Sequence, residues 1–160
     1  LTSMVPVMNN QDLLDWAAEA GFAELCAPNE LHCTVAYSKS PVDWNAVELM
    51  NTTFSLAPNE NRTLSFLGDN GALVLILAED EITVLRNIWQ KYRDAGASWD
   101  YPDYLAHVTL SYKSGLTEDA LIKIRPYNGP LLFGPEIRKI MHLDKDKKFD
   151  VTDIEHVPVL

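Results

Sequence analysis

One short pattern occurs twice in this sequence, and the repeat constrains the fold more than any other feature. The pattern His-x-Thr-x-x-Tyr begins at His32 and again at His107, 75 positions later in a chain of 160 residues. Both copies lie in runs typical of β-strands, Leu31–Tyr37 and Ala106–Tyr112. A strand repeated half a chain apart predicts two related halves that contribute the same side chains.

Strand geometry gives the repeat a chemical meaning, because successive side chains of a strand point to opposite faces. The His and Thr of each copy share one face, which we expect to line a cleft: His32 with Thr34, and His107 with Thr109. The tyrosine of each copy, Tyr37 or Tyr112, falls on the opposite face. We therefore expect both tyrosines to pack in the core.

Two histidines and two threonines facing one cleft suit the cleavage of a phosphodiester without a metal. One imidazole can remove a proton from the attacking hydroxyl, and the other can protonate the leaving oxygen. The threonine hydroxyls can donate hydrogen bonds to the phosphate oxygens. A zinc site that includes Cys33 is disfavoured, because Cys33 and His32 point to opposite faces. We expect no metal or other cofactor.

Composition and charge narrow the classes of partner. The chain is 47% hydrophobic and 22% charged, which predicts one soluble globular domain over residues 1–160. The net charge of −10 disfavours binding of long DNA or RNA and leaves a small or short oligonucleotide substrate open. We expect a cytoplasmic protein with no membrane segment. We also expect Leu1–Ser3 to precede a native start at Met4 or Met8. The oligomeric state is not predicted.

Helices and strands are intermixed along the chain, which predicts an α+β fold rather than a doubly wound parallel sheet. Further strands are expected at 63–67, 72–77, 130–133 and 137–144, and helices at 10–20, 42–50, 79–95 and 117–124. The tail from Lys145 is a candidate edge strand.

Five further residues are candidates for binding substrate, each with a structural alternative. Trp99 and Tyr104 precede the second motif and could stack on bases, or pack in the core. Glu136 could accept a hydrogen bond from the amino group of adenine or guanine, or be a solvated surface acid. Lys39 and Lys113 follow the two motifs and could offset substrate charge, or serve solubility.

The two His-x-Thr strands resemble those of the 2H phosphoesterase superfamily. Within it, the run W-D-Y-x-x-Y-x-x-H-V-T-L-S-Y at residues 99–112 is similar to the phage anti-CBASS cyclic-oligonucleotide nucleases. The resemblance implies a bilobal, pseudo-two-fold fold with a central cleft between two sheets. It also implies that His32 and His107 form the acid–base pair and that Thr34 and Thr109 bind the phosphate.

The same resemblance implies a function. We expect a metal-independent phosphodiesterase that cleaves 3′,5′-linked cyclic di- and trinucleotides of bacterial antiphage defence, in the host cytosol, by attack of a ribose 2′-hydroxyl. One alternative keeps the site but acts on 2′,3′-cyclic phosphates at RNA ends or on 2′-5′ oligoadenylates. Another class of function is a protein that sequesters nucleotides without turnover. The spacing does not decide which histidine is the base.

Overall fold

Strands and helices follow one another irregularly along the chain, giving the α+β fold that we predicted. The computed structural model describes residues 1–141 and 154–156. The strands are β1 (Thr2–Pro6), β2 (His32–Tyr37), β3 (Phe54–Leu56), β4 (Thr63–Leu67), β5 (Ala72–Ile76), β6 (His107–Ser111), β7 (Leu131–Phe133), β8 (Ile137–Met141) and β9 (Ile154–His156). The helices are α1 (Asn10–Glu19), α2 (Thr83–Asp94) and α3 (Glu118–Leu121).

The two strands that carry the repeated motif lie side by side. The larger sheet has the order β4-β5-β6-β2-β1-β8-β9, and β3 pairs separately with β7. β2 and β6 are antiparallel and meet at Cys33 and Val108, which are both fully buried. Both motifs therefore lie in one sheet, where we expected the cleft to separate two sheets. The two halves of the chain therefore share one hydrophobic core, to which Cys33 and Val108 both contribute.

The core lies on the face of the sheet that is opposite the repeated His and Thr side chains. Helix α2 packs against β2 and contributes an apolar stripe of Leu85, Ile88, Trp89 and Tyr92. These side chains recur at helical spacing, so one face of α2 is buried while its polar face remains in solvent. The predicted helix at 79–95 is thus confirmed, with a short 3₁₀ turn before it at Glu79–Glu81.

Strand β1 was missed by the sequence analysis, although it lies between β2 and β8 and pairs with both. Thr2 and Ser3 are buried within it, and the Ser3 hydroxyl donates a hydrogen bond to the Glu136 carboxylate. The residues expected to precede the native start therefore belong to the interior of the sheet. Five residues without clear alternation carry too little periodicity to identify a strand.

The predicted helix at 42–50 is wrong, because this segment forms only a single 3₁₀ turn at Trp44–Ala46. Its backbone groups are bonded to side chains of the segment that opens β8. The Val47 carbonyl accepts from Arg138, and the Met50 N–H donates to Glu136 at 3.0 Å. Tertiary hydrogen bonds therefore replace the ladder that a helix would have formed.

The other predicted elements are present with shifted ends. The hairpin of β4 and β5 is confirmed, as is α3, which is shorter than expected and is capped by the Thr117 hydroxyl. β8 ends at Met141 in the described part of the chain, and the predicted continuation to residue 144 lies outside it. β9 pairs with β8 and occupies the sheet edge, as expected for a strand in the tail. No described helix is long and apolar enough to cross a membrane.

Candidate active site

The register between β2 and β6 brings the two motifs into one cluster. Cys33 lies opposite Val108, and each follows its histidine by one residue. Extending this antiparallel register by one residue sets His32 across from Thr109, and Thr34 across from His107. Residues directly opposite on neighbouring strands have Cα atoms about 4.5–5.5 Å apart. All four side chains are partly exposed, on the face away from the core.

Both histidines are held in the same way by their own backbone. The His32 Nδ1 atom lies 2.7 Å from the carbonyl oxygen of Glu30, and the His107 Nδ1 atom lies 2.9 Å from that of Leu105. In both cases the carbonyl belongs to the residue two positions earlier. A carbonyl only accepts, so Nδ1 carries the hydrogen and Nε2 of each neutral ring keeps a lone pair.

The surroundings of His32 favour its neutral form. Burial lowers the pKa of His32 below its ordinary value, and the positive charge of Lys139 and the neighbouring His107 act in the same direction. The carbonyl of Glu30 and its carboxylate oppose this change by favouring the imidazolium. The net result keeps His32 neutral at a pH where an ordinary histidine begins to take up a proton.

Each motif strand carries one extra residue at the same place. In β2, Ser3 of β1 pairs with Ala36 and Met4 pairs with Thr34, which leaves Val35 as the inserted residue. Residue Val35 stands three positions after His32. The insertion is a β-bulge, which reverses the face to which every later side chain in the strand points.

The bulge in β6 lies at the equivalent position. Leu73 of β5 pairs with Ser111 and Val74 pairs with Thr109, so Leu110 is the inserted residue, three positions after the histidine. The predicted core positions of both motif tyrosines are therefore wrong. Tyr37 lines the cavity beside the cluster of His and Thr side chains, and Tyr112 is 61% exposed.

A cavity of about 610 Å³ opens beside the cluster and falls within the range of small-molecule sites. Thr34, His107 and Thr109 are among the residues that line it, whereas His32 is not. The turn between β4 and β5 forms one wall, and the segment 99–105 forms another. Trp99 and Lys39, two of the candidate substrate-binding residues, both line the cavity.

The sequence analysis missed three residues of the wall around Lys39, which are Tyr37, Asp100 and Leu105. Asp100 forms an ion pair with Lys39 at 3.2 Å, and Tyr101 lies beside it in the lining. Asp100 and Tyr101 stand next to Trp99 in the chain, so the aromatic run before the second motif was an available signal. The place of Tyr37 in the cavity could not be inferred from the sequence, because it depends on the β-bulge in β2.

Two of the predicted substrate-binding residues are placed elsewhere by the structure. Tyr104 is only 3% exposed, and its hydroxyl donates to the Thr34 carbonyl at 2.7 Å. It stacks on Trp89, so it supports β2 from the core side. Lys113 follows the bulge of β6 and is exposed outside the cavity lining. Neither residue offers its side chain to a ligand in the cavity.

Glu136 is also placed away from the cavity. Its carboxylate has no exposed surface and accepts hydrogen bonds from the hydroxyls of Ser3 and Tyr92 and from the Met50 N–H. Arg138 lies 3.9 Å away and balances its charge. The carboxylate is therefore used to join β1, α2 and β8, and it has no open side from which to bind a base.

The arrangement offers two general acid–base groups and two hydroxyl donors within one small area. Among the described residues, no group of three or more His, Cys, Asp or Glu side chains could hold a metal ion. The cluster can move protons at two places on one ligand and donate hydrogen bonds to an anion between them.

The fold resembles those of two solved structures, a phosphoesterase and LigT of E. coli. A crystal structure of a phosphoesterase aligns with a TM-score of 0.61 at 12% identity, over 92% of this chain and 91% of that one. Apo LigT of E. coli aligns with a TM-score of 0.53 at 14% identity, over 93% and 92%. The model of the anti-CBASS protein Acb1 family matches residues 3–148, so the chain belongs to that family.

Relatives in the same family come from bacteria and from phages. The Acb1 protein of Caulobacter sp. (strain RHG1) is 36% identical over 137 residues, which are 82% of this chain and 21% of that protein. The Acb1 protein of Salmonella phage S16 is 30% identical over 119 residues, which are 68% and 74%. The chain thus spans about a fifth of the length of the Caulobacter relative.

Proposed function

We propose that this chain is a metal-independent phosphodiesterase that cleaves 3′,5′-linked cyclic oligonucleotides, the signals that anti-CBASS proteins counter. The observation that carries the proposal is the register of β2 and β6, which gathers two histidines and two threonines with both Nε2 atoms available. Membership in the anti-CBASS protein Acb1 family supports the choice of substrate class. One domain over residues 1–160, acting in the host cytosol, is part of the same proposal.

The reaction follows from the roles of the two histidines. His32, whose pKa is lowered, takes the proton of a ribose 2′-hydroxyl on its Nε2. The bond from the 2′-oxygen to phosphorus forms, and the bond from phosphorus to the 5′-oxygen breaks. His107, in its protonated form, gives a proton to the departing 5′-oxygen. The products are a 2′,3′-cyclic phosphate and a 5′-hydroxyl.

The threonines stabilise the charge that develops on the phosphate. The register places Thr34 and Thr109 at diagonal positions on neighbouring strands, so their hydroxyls can donate to the two non-bridging oxygens at once. Loss of one preorganised donor to a reacting oxyanion costs about 10²–10³ in rate in other enzymes. The strands hold both donors in place before the substrate arrives.

A substrate panel tests the proposal. The chain is incubated in EDTA with 3′,3′-cyclic GMP–AMP, cyclic tri-adenylate, a 2′-5′ oligoadenylate and a 2′,3′-cyclic nucleotide, beside the His32→Ala/His107→Ala variant. We expect cleavage of the two cyclic oligonucleotides and none by the variant. A 2′-deoxy analogue of the cleaved linkage should resist, because it lacks the attacking hydroxyl.

The other outcomes separate the competing functions. Cleavage of only the last two substrates would keep the site and move the function to RNA ends or to 2′-5′ linkages. Tight binding without cleavage would overturn the proposal in favour of a protein that sequesters nucleotides. Loss of cleavage on chelation would contradict the metal-independent mechanism.

A further inference from the structure

The lining of the cavity includes a charged pair that the proposed reaction does not use. Lys39 and Asp100 form an ion pair at 3.2 Å, with side chains 53% and 45% exposed. Both line the same cavity as Thr34 and His107. A group bound between them would therefore be continuous with a phosphate bound at the cluster.

This part of the cavity wall is held by hydrogen bonds between backbone and serine side chains as well as by the ion pair. The backbone N–H of Lys39 donates to the Ser98 hydroxyl at 2.8 Å, and the backbone N–H of Ser98 donates to the Ser38 hydroxyl at 2.9 Å. Ser38 is only 2% exposed. The end of β2 and the segment that carries Asp100 are thus fixed relative to each other.

Aromatic and apolar side chains surround the ion pair. The Trp99 indole N–H donates to the Asp103 carbonyl at 3.0 Å, and its ring lies edge-on to Tyr101 with the ring centres 6.3 Å apart. Tyr37 lines the same space from β2, and Leu105 is 41% exposed in it. Exposed aromatic and apolar surface in a cavity with one polar pair suits a flat heterocycle with a polar edge.

The sign of the charges narrows the ligand further. A carboxylate close to a phosphate-binding cluster repels the substrate unless it gains hydrogen bonds from it. Lys39 offsets the charge of Asp100 but occupies only one of about four lone-pair directions that a carboxylate offers. The remaining directions accept from an N–H donor. Among the parts of a nucleotide, an exocyclic amino group of the base supplies such a donor.

We propose that Asp100 reads the base of the substrate by accepting a hydrogen bond from its exocyclic amino group, while Trp99 and Tyr37 contact the ring. This inference rests on the proposed function, since it assigns the base that is attached to the cleaved phosphate. It makes Asp100 a specificity-determining residue. Lys39 then balances the charge of Asp100 and reduces the repulsion of the phosphate.

The test compares two substrates that differ in one group. 3′,3′-Cyclic di-AMP carries the 6-amino group on both bases, and its analogue made from purine riboside carries hydrogen there. We expect the unmodified chain to prefer cyclic di-AMP by about tenfold in kcat/KM, the effect of a hydrogen bond to a charged group at a half-exposed site. Asp100→Ala should remove this preference, so that kcat/KM becomes equal for the two substrates.

Asp69→Ala is the matched control. Asp69 lies in the exposed turn between β4 and β5, next to the cavity but outside its lining, so the change removes the same charge without touching the proposed contact. It should preserve the preference for the amino group. An equal fall on both substrates in Asp100→Ala would overturn the inference, because Asp100 would then only orient Lys39.

The two proposals fail in different ways. If the unmodified chain cleaves neither substrate, the proposed function fails. The base contact is then tested by the dissociation constants of the two nucleotides for the His32→Ala/His107→Ala variant, with and without Asp100→Ala. A preference for cyclic di-AMP that disappears with Asp100→Ala would support the contact, and equal affinities throughout would overturn it.

Discussion

The two motif strands have the same burial pattern over their first four residues, but the residues after their bulges have different surroundings. In β2 the chain passes its bulge and places Tyr37 and Lys39 in the cavity. In β6 the chain passes an equivalent bulge and places Tyr112 in solvent. The Ser111 hydroxyl donates instead to the carbonyls of Ala23 and Glu24, which draws the end of β6 towards the segment after α1.

This difference separates the symmetric part of the site from the asymmetric part. The histidines and threonines are related by equal offsets from the Cys33–Val108 pair, so the cluster of four side chains is symmetric. The cavity lies on one side only, since Tyr37 and Lys39 have no counterparts in it from β6. A symmetric cluster with an asymmetric cavity can bind a nucleotide in one direction, as the proposed division of roles between His32 and His107 requires.

The largest expected effect is a loss of kcat, and it should be of similar size when either motif histidine is replaced. His32→Ala and His107→Ala should each lower kcat by about 10²–10⁴, because each removes one general acid or base. Because the two groups act on the same reaction step, kcat of the double variant should be only slightly lower than kcat of the less active single variant. Single-turnover rates measure this, with circular dichroism to confirm folding. A tenfold or smaller loss in either single variant would break the symmetry of the cluster.

A smaller effect should distinguish the halves. Tyr37→Ala should raise KM by about fivefold or more with cyclic oligonucleotide substrate, because stacking of a base on an aromatic ring contributes about 1–3 kcal/mol. Tyr112→Ala is the matched variant from the other strand, and it should leave KM within about twofold. Steady-state kinetics on both variants make the comparison. An equal effect of the two changes would contradict the one-sided cavity.

The smallest effect concerns pH. In the proposed reaction His32 acts as the base only when it is neutral. An ordinary histidine has a pKa of about 6.5, and the pKa of His32 is lowered, so His32 takes up a proton only at a lower pH. The acidic limb of the kcat/KM profile should therefore lie below that value. Lys139→Gln should move the limb upward, because it removes a charge that disfavours the imidazolium. A limb above about 6.5 in the unmodified chain would reverse the roles of the histidines.

Some features of the site could be inferred from the sequence because they are local. Alternation along a strand sets the faces of four or five residues, so His32 and Thr34 could be assigned to one face, and His107 and Thr109 likewise. The long amphipathic helix α2 and the hairpin of β4 and β5 are local in the same sense, and both are confirmed.

The errors arise where a long-range contact overrides the local pattern. The sequence pattern predicts that Glu136 lies near the start of a strand and could contact substrate. Its carboxylate instead accepts hydrogen bonds from the hydroxyls of Ser3 and Tyr92, which are distant in the chain. The segment at 42–50 has helical spacing, but hydrogen bonds to Glu136 and Arg138 replace its helical ladder. Neither partner can be identified by the periodicity of the segment itself.

The sequence by itself determined the repetition of the His-x-Thr motif and the shared face of the His and Thr in each copy. Only the tertiary structure decided that both motifs share one sheet, that a bulge turns each tyrosine away from the core, and that Tyr37 but not Tyr112 lines the cavity. The physical reason is that alternation persists only while the register does. One inserted residue, accommodated by pairing with a distant strand, reverses the face of every later residue in the strand.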